Sequence, residues 1–92
     1  MKKCIKVQFH AKNPKDFLKK VIPPGIKNSK VEGVAQAIDH QTVQVFICAE
    51  QEDLDNFLDL IYENIDQYIL EGIEVEPFLK DRDFRGVFRI VE

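Results

Sequence analysis

Leu54, Phe57, Leu58, Ile61, Ile65 and Tyr68 recur at the 3.6-residue spacing of one helical face, with acids crowded from Glu50 to Asp55 and Gly72 just past the end. A helix with a single apolar stripe needs a facing apolar layer, and the neighbouring runs supply one as strands. Ile5, Val7 and Phe9 alternate with Lys6, Gln8 and His10, which predicts a strand from Lys3 to His10 with one buried face. The run "VEGVAQAID" and the β-branched "TVQVFICAE" flank a polar turn at Asp39-His40-Gln41 and read as a hairpin.

Between the first strand and the hairpin, "NPKDFLKKVI" begins with a cap residue, Asn13. Pro14 follows at the first helical position and Asp16 at the third, and Phe17, Leu18, Val21 and Ile22 share one face. Pro23-Pro24-Gly25 is expected to end that helix after two to three turns. The tail "IEVEPFLKDRDFRGVFRIVE" alternates again, broken at Pro77 and at Lys80 to Asp83, as one interrupted strand or two short ones. The order β-α-β-β-α-β, with room for an extra terminal strand, predicts a ferredoxin-like α+β sandwich: an antiparallel sheet with two helices on one face.

The 92 residues, 45% hydrophobic and 32% charged, suit one domain spanning 1–92. No run has the apolar length of a signal-peptide core or a membrane span, so a cytoplasmic chain that does not engage membranes is expected. Cys4 and Cys48 lack CxxC spacing and read as reduced, half-buried thiols. With the first and third strands taken as parallel neighbours, the two cysteines fall at opposite ends of the sheet, which predicts no disulfide.

Residues 1 to 30 hold nine lysines against the single acid Asp16, whereas residues 31 to 92 hold four basic residues against fifteen acids. Such a bipolar field can steer an anion to one end or favour head-to-tail contacts. The net charge of -3 and the scattered lysines argue against nucleic acid. So does the first strand, which offers Lys6 and Gln8 where an RNA-binding sheet of this topology places aromatics.

The hairpin Gly33-Val34-Ala35-Gln36-Ala37, followed by Gln41-Thr42-Val43 and Ala49, resembles the acylphosphatase signature. That signature runs glycine, aromatic, small apolar, basic or amide residue and asparagine, with a glycine and a valine further on. Gly33, Ala35, Gln36 and Val43 fit, and the "FLDLIY" helix and closing "GVFRIVE" extend the resemblance over nearly the whole chain. It implies a glycine-rich loop after the first strand that holds a phosphate with backbone amides and one arginine, and a hairpin asparagine that positions water. It implies no cofactor. Here Ala37 stands at the asparagine position, and "FHAKNPKDF" has neither the glycines nor the arginine. Lysine cannot copy arginine's bidentate grip, and proline has no amide. Phosphoryl transfer rests largely on positioning and charge stabilisation, so these losses predict no catalytic residues and little hydrolysis.

The loop is therefore first a helix start. Lys12, Asn13 and Lys15 remain a weak anion site at a helix N-terminus, where Asp16 competes for the same amides. Asn28 could stand in for the missing asparagine, although its loop position favours a turn role. His10 and His40 read as solvated rather than as metal ligands, since Cys4 and His10 lie about 20 Å apart at strand rise.

If Val45 and Ile47 point inward, then Phe46 and Cys48 point outward beside Val34, an apolar patch that nothing in so short a chain can cover; a shifted register would instead bury Val34. Three functions follow. The first is an acylphosphatase-like domain without hydrolase activity that binds a protein partner or a second copy through its open sheet face. The second is an acylphosphatase with a lysine-based phosphate site, and the third is a ligand-sensing domain that dimerises through its sheet.

Overall fold

In the computed structural model, which describes residues 2–27, 29–68, 72–78 and 84–91, the alternation of the first strand is realised directly. Val7 and Phe9 are buried in β1 (Lys3–His10), while Lys3 and His10 are exposed. Asn13 caps helical segment α1 as expected, its side-chain oxygen accepting from the Asp16 amide at 3.2 Å.

Segment α1 does not stop at the prolines. It consists of an α-turn Pro14–Asp16, a π-helical stretch Phe17–Val21 and an α-stretch Ile22–Ile26. The wider π turns end where the Ile22 amide donates to the Phe17 carbonyl. Pro23 then opens a new α-stretch, at a position where an amide donor is not needed, so the pair is tolerated instead of breaking the helix.

The hairpin is β2 (Glu32–Ala37) and β3 (Thr42–Ala49). The long amphipathic helix is shorter than its apolar repeat: α2 covers Gln51–Glu63, Asn64 leaves helical geometry, and a separate turn α3 covers Ile65–Tyr68. The Asn64 side chain donates to the Leu60 carbonyl at 2.8 Å, occupying an end-of-helix acceptor that a continued helix would have used. The tail forms two short strands, β4 (Glu74–Pro77) and β5 (Phe88–Val91).

The five strands are ordered β4-β1-β3-β2-β5, mixed in direction because β5 runs parallel to β2 while the other neighbours are antiparallel. The helices cover one face: Phe17, Leu18 and Ile22 from α1 and Leu54, Phe57 and Ile61 from α2 bury against Val7, Phe9, Ala35, Val43, Val45 and Ile47 of the sheet. No helix among the described residues is long and apolar enough to cross a membrane.

β1 and β3 are antiparallel, contrary to the parallel pairing expected. The hairpin reverses the chain, so β3 opposes both β2 and β1, and the start of β1 meets the end of β3. Cys4 lies directly across from Cys48 with their Cα atoms 4.1 Å apart, and the two form a disulfide. The expectation of reduced thiols at opposite ends is thereby overturned. Cys48 is fully buried and Cys4 half-buried.

Candidate functional site

The loop between β1 and α1 carries Lys12, Asn13 and Lys15, all exposed. Four amides in and just after it are engaged within the chain. The Ala11 amide donates to the Gln41 carbonyl at 2.6 Å, and the Lys12 amide donates to the Tyr68 carbonyl at 2.7 Å. Pro14 offers no amide, the Asp16 amide goes to the Asn13 side chain, and the Phe17 amide goes to the Asn13 carbonyl at 3.0 Å. Asp16 also pairs with Lys20 at 3.7 Å, which keeps a carboxylate at the helix start. An oxyanion seeking the Ala11 or Lys12 amide would have to displace an existing carbonyl partner.

Tyr68 reaches the loop because α3 is set off from α2 at Asn64. Its ring packs edge-on against Phe17 at 5.6 Å, and Phe17 packs edge-on against Phe9 at 5.0 Å. This aromatic file ties α3 to the core beneath the loop. The apolar spacing at Tyr68 pointed to burial, but it gave no sign that the Tyr68 carbonyl would occupy a loop amide.

Across the same end of the sheet, Ala37 ends β2 opposite Val43 and lies partly buried against the core. Gln36 points to the open face and donates to Gln44 at 3.4 Å, while Gln44 donates to Gln8 at 3.2 Å, a ladder of amides over three strands. Gly33 is required by contact. Its φ of +145° is poorly accessible to other residues, and a Cβ there would run into the Phe46 carbonyl oxygen. Asn28 lies outside the described residues, as do Lys80 to Asp83.

His10 follows the strand into this region. Its Nδ1 is 3.2 Å from the Thr42 hydroxyl, which donates to Asp39 Oδ2 at 3.1 Å, and Asp39 Oδ1 also accepts from the Gln41 amide at 2.8 Å. The Gln41 amide, and after it the Thr42 hydroxyl, hold the Asp39 carboxyl below its ordinary pKa of 3.8, with a smaller contribution from His10. His40 is exposed in the turn. Among the described residues no three His, Cys, Asp or Glu side chains converge as a metal site would require.

On the open face Val34, Phe46 and Cys48 all point away from the helices, as the unshifted register predicts, but the apolar patch is not bare. Phe78, just beyond β4, packs edge-on against Phe46 at 5.1 Å, and the disulfide buries Cys48. Lys6 and Glu76 pair at 3.3 Å in the same cross-strand row as Phe46. The expectation that nothing in the chain could cover this patch is corrected by the segment after β4.

The fold matches solved acylphosphatases. The chain aligns with an acylphosphatase from Bacillus subtilis at a TM-score of 0.75 and 15% identity over 100% of both chains. With an acylphosphatase from Coxiella burnetii the TM-score is 0.67 at 17% identity, over 98% of this chain and 93% of that one. It also matches 12% of full-length HypF, in its phosphate- and nucleotide-bound form, with a TM-score of 0.72 at 10% identity over 100% of this chain. No family model and no curated protein matches the chain. The fold is acylphosphatase-like, and at these identities the likeness concerns the fold alone.

Proposed function

We propose that the chain is an acylphosphatase-like domain without hydrolase activity that serves as a small binding or protein-interaction module. The observation that carries the reading is the engagement of the Ala11 and Lys12 amides by the Gln41 and Tyr68 carbonyls, because a phosphate cradle needs those donors turned toward the ligand. Ala37, without a side-chain donor or acceptor to orient water, supports it independently. The partner is a protein or a second copy meeting the open sheet face around Val34, beside the Phe46–Phe78 pair that covers part of it. Lys12 and Lys15 supply surface charge, and Asn13 an amide between them, that attract small anions weakly. A cytoplasmic location remains part of the proposal, and there the Cys4–Cys48 bond would have to withstand a reducing pool.

Titration of the uniformly 15N-labelled protein with inorganic phosphate tests the loop. The expected result is no saturable shift of the Ala11 and Lys12 amides at millimolar phosphate. Saturable shifts there that vanish in a Lys12→Met, Lys15→Met variant would establish a lysine-based phosphate site and overturn the reading.

A further inference from the structure

The acid-rich part of the chain holds a basic cleft on the face opposite the helices. From residue 31 onward there are four basic residues against fifteen acids, yet two of the four, Arg85 and Arg89, line one open cavity of about 440 Å³ together with Val34, Gln36, Val87 and Val91. Among the described residues no acid lines it. Val34 and Arg89 are register partners on β2 and β5, and Gln36 and Val91 are the next pair on the same face, so Arg89 shares that face with aliphatic neighbours on both strands. Val87 and Val91 are each nearly half exposed, at 47% and 48%.

The cleft is held by the backbone. The Gly33 amide donates to the Val87 carbonyl at 3.0 Å, and the Val87 amide donates to the Phe84 carbonyl at 3.0 Å. Buried Glu32 accepts from the Gly86 amide at 2.8 Å. The turn carrying Arg85, which sits at a φ of +57°, is thus fixed to β2 from two sides. The Arg89 fork beside an aliphatic surface, in a volume within the range of small-molecule sites, matches a ligand with one anionic head and a short apolar body.

The geometry points to a binding site for a small amphipathic carboxylate, its head group on the Arg89 guanidinium and its hydrocarbon on Val34, Val87 and Val91. This rests on the binding-module reading and gives that module a ligand class. The site lies on the open face and shares no residue with the β1–α1 loop.

Amide shifts of the 15N-labelled protein, followed during titration with hexanoate, acetate and 1-hexanol, test it. Hexanoate is expected to shift the Val34, Val87 and Arg89 amides saturably. Acetate, which lacks the tail, and hexanol, which lacks the charge, should each bind about tenfold or more weakly. Arg89→Gln, an exposed change that should leave the rest of the spectrum in place, is expected to weaken hexanoate about tenfold or more. Absence of saturation by hexanoate, shifts elsewhere, or equal binding by the Arg89→Gln protein would overturn the proposal. Benzoyl phosphate hydrolysis measured on the same sample separates the two readings: turnover sinks the non-hydrolysing module, while a failed titration without turnover sinks only the carboxylate site.

Discussion

Reducing the Cys4–Cys48 bond, or replacing Cys48 by alanine, is expected to lower the free energy of unfolding by about 4 kcal/mol. The bond spans 44 residues of sequence, and closing a loop of that length removes about 4 kcal/mol of chain entropy from the unfolded state. For a domain of this size the total is about 5–15 kcal/mol, so the loss would be a large share of it. Cys4 and Cys48 are already register partners on neighbouring antiparallel strands, and β1 and β3 form the centre of the five-stranded order. Urea unfolding with and without dithiothreitol measures the effect, and the intact mass under nonreducing conditions should be two hydrogens below that of the dithiol. Identical urea midpoints in the two conditions, or the full dithiol mass, would contradict it.

Phe17→Ala is expected to cost about 3–5 kcal/mol, the range for emptying a fully buried aromatic site. Phe17 is fully buried and contacts both Phe9 and Tyr68 edge-on, so the substitution removes two ring pairs as well as apolar volume. At the usual proportion for small domains, the melting temperature should fall by roughly 12–24 °C at the lower end of that energy range. The consequence extends to the loop. Tyr68 loses its ring partner, and the Lys12 amide that its carbonyl accepts should exchange with solvent faster than in the natural protein. A loss below about 1 kcal/mol by urea unfolding would show that the file from Phe9 to Tyr68 does not anchor α3.

Local rules in the sequence carried much of the fold. Period-two alternation placed β1, the Asn13-Pro14-Asp16 cap placed the start of α1, and the apolar repeat placed α2. What escaped depends on contacts between distant segments. The prolines at 23 and 24 were tolerated because π turns preceded them, a backbone adjustment without a side-chain pattern. The apolar spacing ran through Asn64 without interruption, so the break that creates α3 was concealed by residues that would suit a longer helix.

The disulfide was misread through one wrong strand direction, which moved Cys4 and Cys48 from facing positions to opposite ends. At the candidate site, the absence of an arginine from residues 9–17 and the alanine at position 37 are plain in the sequence. The occupation of loop amides by Gln41 and Tyr68 was not, since carbonyl partners depend on where the backbone goes and not on side-chain identity. The open-face patch was likewise half visible: parity gave the direction of Val34 and Phe46, while the cover supplied by Phe78 required the path of the chain beyond β4.

Benzoyl phosphate hydrolysis by the purified natural protein tests most directly the proposal that the domain does not hydrolyse acyl phosphates. An Ala37→Asn, Lys12→Arg variant measured beside it reports whether the scaffold presents a usable geometry, any gain coming from the two introduced groups. The natural protein is expected to match the buffer blank. Turnover above the blank that collapses in the Lys12→Met, Lys15→Met variant would contradict it and make the chain an enzyme with a rebuilt anion site.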